Sequence, residues 1–317
     1  MKKTFYQGDE YLDFQKKEAD DKFLNKKVEK KFKSLGPYAF VLDLGCGTGA
    51  QIRRNIELNV LKNNAKIIGI DINADAIKRS IYSFKRWAKE KNCRFYDVKI
   101  LKSFISFNVN CFGKKYFVEL RKGNVYDLKK YCGKVDAVTA LSLFEHTDMD
   151  KSLKSVYGTL KNKGVLYSLI NYSVKTKFSP TPRNLKKIEN CLMSLFNYVA
   201  IDKQFLGGVE TGNSKCGILL PKLLKKIGFR IIKYGDSSWK VGGMKLNTKN
   251  SKIMLEHFLS SFYNLFKSAN LKIKKKFKVN DEEIDFWYNL RKKQLIQNKL
   301  RFFCINKDVV CVKEKLK

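Results

Sequence analysis

The glycine-rich stretch VLDLGCGTGA, residues 41–50, is the part of the sequence best suited to hold a ligand. Glycines between a strand and a helix let a ligand approach the backbone and the N-terminus of the helix. Gly45, Gly47 and Ala50 fit a relaxed dinucleotide fingerprint, G-x-G-x-x-G/A, which would hold a pyrophosphate. Asp43, however, lies two positions before Gly45 and places a negative charge beside the turn.

Asp43 favours a different ligand. A carboxylate is unfavourable beside a pyrophosphate but favourable beside an ammonium or sulfonium ion. S-adenosylmethionine carries both of these cations and no phosphate. Gly49 tightens the turn to D-x-G-x-G-x-G, and Asp71, which lies 22 residues after Gly49, can accept hydrogen bonds from both ribose hydroxyls. An acid at that place fits either cofactor, so the choice between them depends on Asp43.

The segments around this turn alternate between predicted strands and helices. Strands are predicted at 39–44, 66–71, 135–141, 164–171 and 230–235, and helices at 50–64, 73–92, 148–162 and 216–229. This alternation indicates a mostly parallel sheet that is covered on both faces. Ligands bind such sheets at the carboxyl ends of the strands, near the first turn from strand to helix, which is where the glycines lie.

The chain is predicted to be one domain over residues 1–317 with several additions. An N-terminal helical leader is predicted at 1–36, and the cofactor-binding core at 37–171 is predicted to contain an extra hairpin at 93–121. Insertions at 172–215 and 248–299 are predicted to form a substrate lid. The aromatic residues in and near this lid, among them Phe196, Trp239 and Phe262, are more typical of a core than of a substrate cage.

Five stretches together resemble the class I S-adenosylmethionine-dependent methyltransferases. VLDLGCGTGA, IIGIDIN, GNVYDL, VDAVTALSLFEH and LKNKGVLYSLIN occur in the order of that family. FEHTDMDKSLKSVYGTLKNKGVL is similar to the small-molecule branch around the quinone-biosynthesis C-methyltransferases. The resemblance implies an α/β fold with a Rossmann-like, doubly wound, seven-stranded and mostly parallel sheet. It also implies an antiparallel last strand, helices on both faces and helical lid insertions.

The resemblance further implies which residues contact S-adenosylmethionine. Asp43 and the glycines would contact its methionine part, Asp71 and Ile72 would hold the ribose and flank the adenine, and the backbone of Leu141 would lie nearby. The family usually places an acid where this chain has Asn124, whose amide oxygen can still accept from the adenine amino group. The full set is Asp43, Gly45, Cys46, Gly47, Gly49, Asp71, Ile72, Asn124, Val125 and Leu141.

Catalytic residues are harder to predict, because methyl transfer depends mainly on positioning and desolvation. Glu145 and His146 follow the fourth strand, and a histidine can act as a general base near neutral pH. Bracing of the next helix is the alternative role for this pair. Tyr172, after the fifth strand, lines the acceptor site or packs in the core. No metal site is expected, since the chain has two histidines and no cysteine pairs with ligand spacing.

The charge of the chain leaves two classes of methyl acceptor open. Lys and Arg number 65 against 30 Asp and Glu, a formal net charge of +35. Such a surface attracts RNA, although dispersed lysines are also typical of an AT-rich genome, and LKIKKKFK at 271–278 is the densest run. The leading prediction is a methyltransferase (EC 2.1.1.-) acting on a small or medium-sized metabolite. The alternative is an RNA methyltransferase acting on tRNA, rRNA or a cap guanine.

The remaining features concern location and activity class. The acidic, polar N-terminus does not resemble a signal peptide, and no stretch of 18 apolar residues occurs, so no membrane span is expected. Eight scattered cysteines, expected to be unpaired, suit a reducing compartment, and we expect a cytoplasmic protein. A cofactor-binding protein without catalysis would rest on the departure at Asn124 alone.

Overall fold

The computed structural model describes residues 23–206, 209–243 and 249–314. Of the predicted leader, residues 1–22 lie outside these ranges. Its described part forms helix α1 (Lys26–Ser34), which begins after Asn25 because the Asn25 side chain accepts hydrogen bonds from two backbone N–H groups of the first turn. The helix ends shortly before Gly36-Pro37, the pair predicted to break it.

Within the described residues, one sheet has the strand order β10-β11-β7-β6-β1-β2-β5-β4-β3. The strands, with β8 and β9 of a separate ribbon, are β1 (Tyr38–Leu44), β2 (Leu61–Asp71), β3 (Arg94–Ile100), β4 (Phe104–Cys111), β5 (Lys114–Lys122), β6 (Val135–Leu141), β7 (Leu160–Ser179), β8 (Gln204–Leu206), β9 (Val209–Thr211), β10 (Phe229–Gly242) and β11 (Arg301–Lys313). The five central strands β7, β6, β1, β2 and β5 pair in parallel. The last strand, β11, is antiparallel to both β7 and β10. The predicted mostly parallel sheet with an antiparallel last strand is therefore confirmed.

The sheet has nine strands in the described residues, where seven were expected. The difference comes from β3 and β4, which pair with each other and extend the sheet beyond β5 through antiparallel pairing of β4 with β5. They lie in the segment 93–121, for which an extra hairpin was predicted. Cys93 and Cys111 are joined by a disulfide bond across β3 and β4, so the expectation of unpaired cysteines is wrong for these two residues.

Helices cover both faces of the sheet. They are α2 (Ala50–Glu57), α3 (Ala74–Glu90), α4 (Met149–Thr159), α5 (Lys186–Phe196), α6 (Cys216–Ile227), α7 (Lys249–Ser268), α8 (Leu271–Lys276) and α9 (Asp281–Ile296). Val41 of β1 packs in an apolar cluster with α1, α2 and α3, whereas Leu42 packs in a second cluster with α4 and α6. Neighbouring residues of one strand thus contact opposite layers, as in a doubly wound fold. None of the helices in the described ranges is long and apolar enough to cross a membrane.

A third apolar cluster is built on the long strands β7, β10 and β11 and on helices α5, α7 and α9. These helices belong to 172–215 and 248–299, the segments predicted to form a lid. Strand β7 continues through Ser179, so the first part of the 172–215 segment is strand rather than a separate insertion. The third cluster therefore forms a further apolar core on β10, β11 and β7, which are neighbours at one edge of the sheet.

A buried ion pair connects two of these helices to β7. Arg291 of α9 is fully buried, and its Nη2 lies 2.7 Å from Oε2 of Glu189 in α5. Arg291 also donates a hydrogen bond from Nη1 to the carbonyl oxygen of Pro180 at 2.6 Å, and the indole N–H of Trp287 donates to Glu189. The pair holds α5 and α9 in position beside the end of β7.

Candidate active site

A cavity of about 410 Å³ opens at the carboxyl ends of β1, β2 and β6. This volume falls in the range of roughly 300–1,000 Å³ that is usual for small-molecule sites. Most residues expected to bind the cofactor line it: Asp43, Gly45, Cys46, Gly47, Asp71, Ile72, Asn124, Val125 and Leu141. Gly49 is not among the lining residues. The structure thus brings together segments that are far apart in the sequence.

The glycine turn has a backbone that only glycine adopts easily. Gly45, Gly47 and Gly49 have φ angles of +69°, +49° and +79°. A Cβ atom on Gly49 would lie 2.4 Å from Cε2 of Phe84, so this glycine is needed for the close approach of α3 to the turn. The N–H group of Gly45 donates to the carbonyl oxygen of Ile70 at 2.8 Å, which fixes the turn to β2.

Asp71, at the end of β2, also holds the turn. Its Oδ2 accepts a hydrogen bond from the N–H of Gly47 at 2.8 Å, and its Oδ1 accepts from the N–H of Asn73 at 2.8 Å. Burial raises the pKa of Asp71, and these two N–H groups oppose that effect. The next residue, Ile72, exposes 53% of its surface, although it lines the cavity. A ligand placed there would cover it.

Asp43, at the end of β1, is the most buried acid beside the turn. It is 2% exposed, and its Oδ1 accepts a hydrogen bond from Oγ of Thr139 at 2.7 Å. Its Oδ2 has no hydrogen-bond partner among the described residues. Burial raises the pKa of Asp43 to about 7. A cation bound in the cavity would supply the missing partner and favour the ionised carboxylate.

Asn124 and Val125 follow β5, the strand beyond β2, and line the cavity. Oδ1 of Asn124 accepts a hydrogen bond from the N–H of Tyr126 at 3.1 Å, so its side chain shapes the loop after β5. An oxygen can accept a second hydrogen bond, which leaves Asn124 able to contact a ligand as well.

Glu145 and His146 both line the cavity just after β6. Glu145 is 1% exposed, and its Oε1 accepts a hydrogen bond from the N–H of Asn171 at 3.1 Å. Its Oε2 has no hydrogen-bond partner in the described part of the chain, and burial raises the pKa of Glu145 to about 8. The backbone of Tyr172 lies opposite Ile305 in the pairing of β7 with β11, and the Tyr172 side chain lies outside what the structure describes.

The comparisons with known proteins point to one family. Residues 42–166 match the model of a family described as a methyltransferase domain. This segment is about two fifths of the chain and is similar to methyltransferase domains. The matched segment contains the glycine turn, Asp71, Asn124 and Glu145. No curated protein matches the chain.

Several solved structures are similar to this chain at low sequence identity. A Bacillus halodurans protein described as a candidate methyltransferase is 15% identical, with a TM-score of 0.49, covering 92% of this chain and 100% of its own. The YcgJ protein of Bacillus subtilis is 13% identical, with a TM-score of 0.45, covering 91% of this chain and 98% of its own. A geranyl diphosphate methyltransferase is 12% identical, with a TM-score of 0.40, covering 89% of this chain and 84% of its own. Likenesses this distant carry no information about what this chain acts on.

Residues that line the cavity fit S-adenosylmethionine, the cofactor that the sequence predicts. The unpartnered Oδ2 of Asp43 suits the ammonium group of S-adenosylmethionine, which carries the opposite charge. The glycine turn leaves backbone exposed toward the cavity, and Gly45 and Gly47 line it. Within the described residues, no group of three or more His, Cys, Asp or Glu side chains is arranged to hold a metal ion.

The far end of the cavity is lined by buried aromatic rings that the sequence did not assign to the site as a group. These rings are Phe196, Trp239, Phe258, Phe262 and Phe302. The sequence favoured a core role for several of them, and the structure places them both in the third apolar cluster and in the cavity wall. The pairing of Trp239 with Cys304 across β10 and β11 aligns this wall, and no local pattern shows that register.

The sequence also did not predict several other residues that line the cavity. Gln51 and Arg54 lie on α2 at helical spacing after the glycine turn, a spacing that could have indicated them. Ser142 lines the cavity with a φ of +54°, an unfavourable backbone angle for a residue with a side chain. Nothing in the sequence around Ser142 indicates that angle.

Proposed function

We propose that this domain transfers a methyl group to a small or medium-sized metabolite that is held at the aromatic end of the cavity. The observation that carries the proposal is the buried aromatic wall, whose five rings are each at most 4% exposed. Such a wall binds an apolar ligand by removing it from water, at about 25 cal/mol per Å² of apolar surface. It also keeps water away from the reacting atoms.

The cofactor is proposed to lie along the glycine turn. When bound, S-adenosylmethionine supplies the methyl group from its sulfonium centre. Asp43 accepts hydrogen bonds from the ammonium group, and the carboxylate of Asp71 accepts from the ribose hydroxyls. Ile72 and Val125 pack on the adenine, and Asn124 contacts its polar edge. Each of these roles uses a residue that lines the cavity.

The chain's contribution to catalysis is proposed to be positioning and desolvation, with Glu145 and His146 beside the acceptor. The segments 172–215 and 248–299 cover the acceptor, since their helices α5 and α7 carry Phe196, Phe258 and Phe262. A base is needed only where the acceptor must lose a proton.

An RNA acceptor is less well supported by the charges at the cavity. Among the described residues that line it, the one Lys or Arg is Arg54, whose Nε and Nη2 each lie 2.6 Å from Oε1 of Glu29. RNA binding depends on cations that contact phosphates. In the lysine-rich run at 271–278, Lys274 is buried, and its Nζ lies 2.8 Å from Oδ1 of Asp281. Both cations therefore already take part in contacts within the protein.

Transfer of labelled methyl groups tests the proposal. The purified protein is incubated with S-adenosylmethionine labelled in the methyl group, once with the small-molecule fraction and once with the total RNA of cells that express it. We expect label in small molecules and none in acid-precipitated RNA, and slower transfer by an Asp43→Asn variant when S-adenosylmethionine is limiting. Label that remains with the RNA and is absent from the small-molecule fraction would contradict the proposal.

A further inference from the structure

Three buried polar atoms at the acceptor end of the cavity lack hydrogen-bond partners among the described residues, and one of them, Oγ1 of Thr176, belongs to a hydroxyl that can either donate or accept. Oε2 of Glu145 and Nε1 of Trp239 have no hydrogen-bond partner within the described residues, and both side chains line the cavity. Glu145 is 1% exposed and Trp239 is 4% exposed. More than about 90% of buried polar groups in proteins are hydrogen-bonded, so unpartnered atoms on side chains that line one cavity are the candidates for contact with a ligand there.

The side chains of Glu145 and Trp239 are connected by a short series of contacts. Oε1 of Glu145 accepts from the N–H of Asn171, and Oδ1 of Asn171 lies 3.4 Å from Sγ of Cys304, which donates to it. Cys304 lies directly opposite Trp239 in the antiparallel pairing of β11 with β10. Residues opposite each other in such a pair have Cβ atoms roughly 4.5–5.5 Å apart. Glu145 and Trp239 therefore belong to one end of the cavity.

The chemistry of Oε2 of Glu145 and Nε1 of Trp239 defines a complementary ligand. A carboxylate oxygen accepts hydrogen bonds, whereas an indole N–H only donates. The surroundings are apolar: the rings of Phe258 and Phe302 stack with their centroids 4.3 Å apart, and both line the cavity. The matching ligand has an apolar body, one hydrogen-bond donor and one hydrogen-bond acceptor.

We propose that the methyl acceptor is an apolar, ring-bearing metabolite whose hydroxyl or amino group faces Glu145 and is the group methylated, while the same atom or another oxygen or nitrogen atom accepts a hydrogen bond from Trp239. This inference rests on the proposed function. The carbon of the methyl group bonds to the acceptor oxygen or nitrogen as its bond to sulfur breaks. The proton that the acceptor atom loses is taken by Oε2 of Glu145.

Glu145 is suited to that proton transfer by its surroundings. Burial raises the pKa of Glu145 to about 8, which makes its ionised form a stronger base than an exposed carboxylate. The titratable groups near it are the thiols of Cys216 on α6 and Cys304 on β11 and the neighbouring His146. A bracing role is already filled by Oε1, through Asn171, and leaves Oε2 available.

Binding of three probes of similar shape tests the inference. Naphthalene has no polar group, 2-methoxynaphthalene has only a hydrogen-bond acceptor, and 2-naphthol has both a donor and an acceptor. Their affinities are measured by calorimetry with the protein saturated with S-adenosylhomocysteine. We expect 2-naphthol to bind about tenfold more tightly than 2-methoxynaphthalene, and naphthalene to bind most weakly.

Two variants separate the two contacts. Glu145→Gln is expected to remove most of the advantage of 2-naphthol over 2-methoxynaphthalene, and Trp239→Phe to remove the advantage of 2-methoxynaphthalene over naphthalene. Both variants should bind S-adenosylhomocysteine as the unaltered protein does, which shows that they are folded. Equal binding of the three probes, or binding of none of them, overturns the inference. Failure of the unaltered protein to bind S-adenosylhomocysteine contradicts the proposed function instead.

Methyl transfer to 2-naphthol provides a second test. The rate should fall as the pH is lowered below about 8, because protonated Glu145 cannot take the proton of the hydroxyl group. Glu145→Gln should be much slower and should lose this pH dependence. A Glu145→Gln variant with the pH profile of the unaltered protein would show that Glu145 only braces the fold.

Discussion

Thr139 donates a hydrogen bond to one carboxylate oxygen of Asp43, over 2.7 Å, and leaves the other oxygen without a partner among the described residues. Both residues are almost fully buried, on the adjacent parallel strands β6 and β1. Thr139 stabilises the ionised form of Asp43, but burial outweighs it and raises the pKa of Asp43 to about 7. The ligand-free protein therefore retains an acid that is costly to ionise and ready to pair with a cation.

Ionisation of buried Asp43 should lower the free energy of unfolding of the ligand-free protein. The folded pKa of Asp43 is above its ordinary value, so the folded state binds the proton more strongly than the unfolded state. The contribution of Asp43 to the free energy of unfolding is thus most favourable below pH 4 and declines as the pH rises to about 7. We expect ligand-free Asp43→Asn to melt about 5 °C above the unaltered protein at pH 8.

The comparison is made by thermal melting of both proteins at pH 5 and pH 8. The difference in Tm between them should be larger at pH 8, because only the unaltered protein then carries a buried charge at this position. A difference that does not change with pH would contradict the raised pKa of Asp43.

A side chain at Gly49 should destabilise the protein for two reasons, the positive φ angle and a clash with the ring of Phe84. A Cβ there would lie 2.4 Å from Cε2 of Phe84, whereas Gly113, with a similar φ of +74°, has open space at the same position. Gly113→Ala should lower the free energy of unfolding by about 1 kcal/mol. Gly49→Ala should lower it by about 1–3 kcal/mol more, because the overpacked site must shift.

Chemical denaturation measures both variants. Both alanines must adopt a positive φ angle, which destabilises the two variants by a similar amount. The difference between their free energies of unfolding therefore reports the contact with Phe84. Equal losses of stability in the two variants would show that α3 does not pack on the glycine turn as described.

Loss of the buried ion pair between Arg291 and Glu189 should lower the free energy of unfolding far more than loss of an exposed pair with a similar N–O distance. Arg291→Met leaves Glu189 buried without its cation and should cost about 3–5 kcal/mol of stability. Arg230 and Glu314 form a pair at 2.6 Å, but both side chains are more than half exposed. Arg230→Met should therefore cost less than about 1 kcal/mol.

Urea denaturation of the two methionine variants gives the comparison. Since Arg291 supports α5 and α9 beside the aromatic wall, its loss should also weaken binding of 2-methoxynaphthalene. If Arg291→Met is no less stable than Arg230→Met, the ion pair does not hold the helices of the third apolar cluster.

The gathering of the residues proposed to hold the cofactor around one cavity was largely predictable from the sequence, because they lie in short, ordered motifs. Asp43, Gly45 and Gly47 are within five residues of each other, and Asp71 follows at the end of the next predicted strand. Parallel strands bring those ends to one edge of the sheet. The position of Gly49 behind the turn, against Phe84, depends on packing between helices and was not predictable.

The aromatic wall of the cavity could not be predicted in the same way. This wall depends on the register of β10 with β11, which places Trp239 opposite Cys304. It also depends on the pair of Glu189 and Arg291, which are 102 residues apart in the chain. Periodicity marks these residues as buried, but it does not show which of them face a cavity. The extra hairpin at 93–121 was predicted from a surplus of β-prone sequence, but its pairing with β5 was not.

Calorimetric titration with S-adenosylhomocysteine tests the central claim most directly, because the product retains the ammonium group that Asp43 is proposed to bind. The unaltered protein should bind one molecule per chain, with an affinity that increases from pH 6 to pH 8 as Asp43 ionises. Asp43→Asn should bind about tenfold more weakly at pH 8 and with little dependence on pH. No binding by the unaltered protein, or the same affinity and pH dependence in both proteins, would contradict the account.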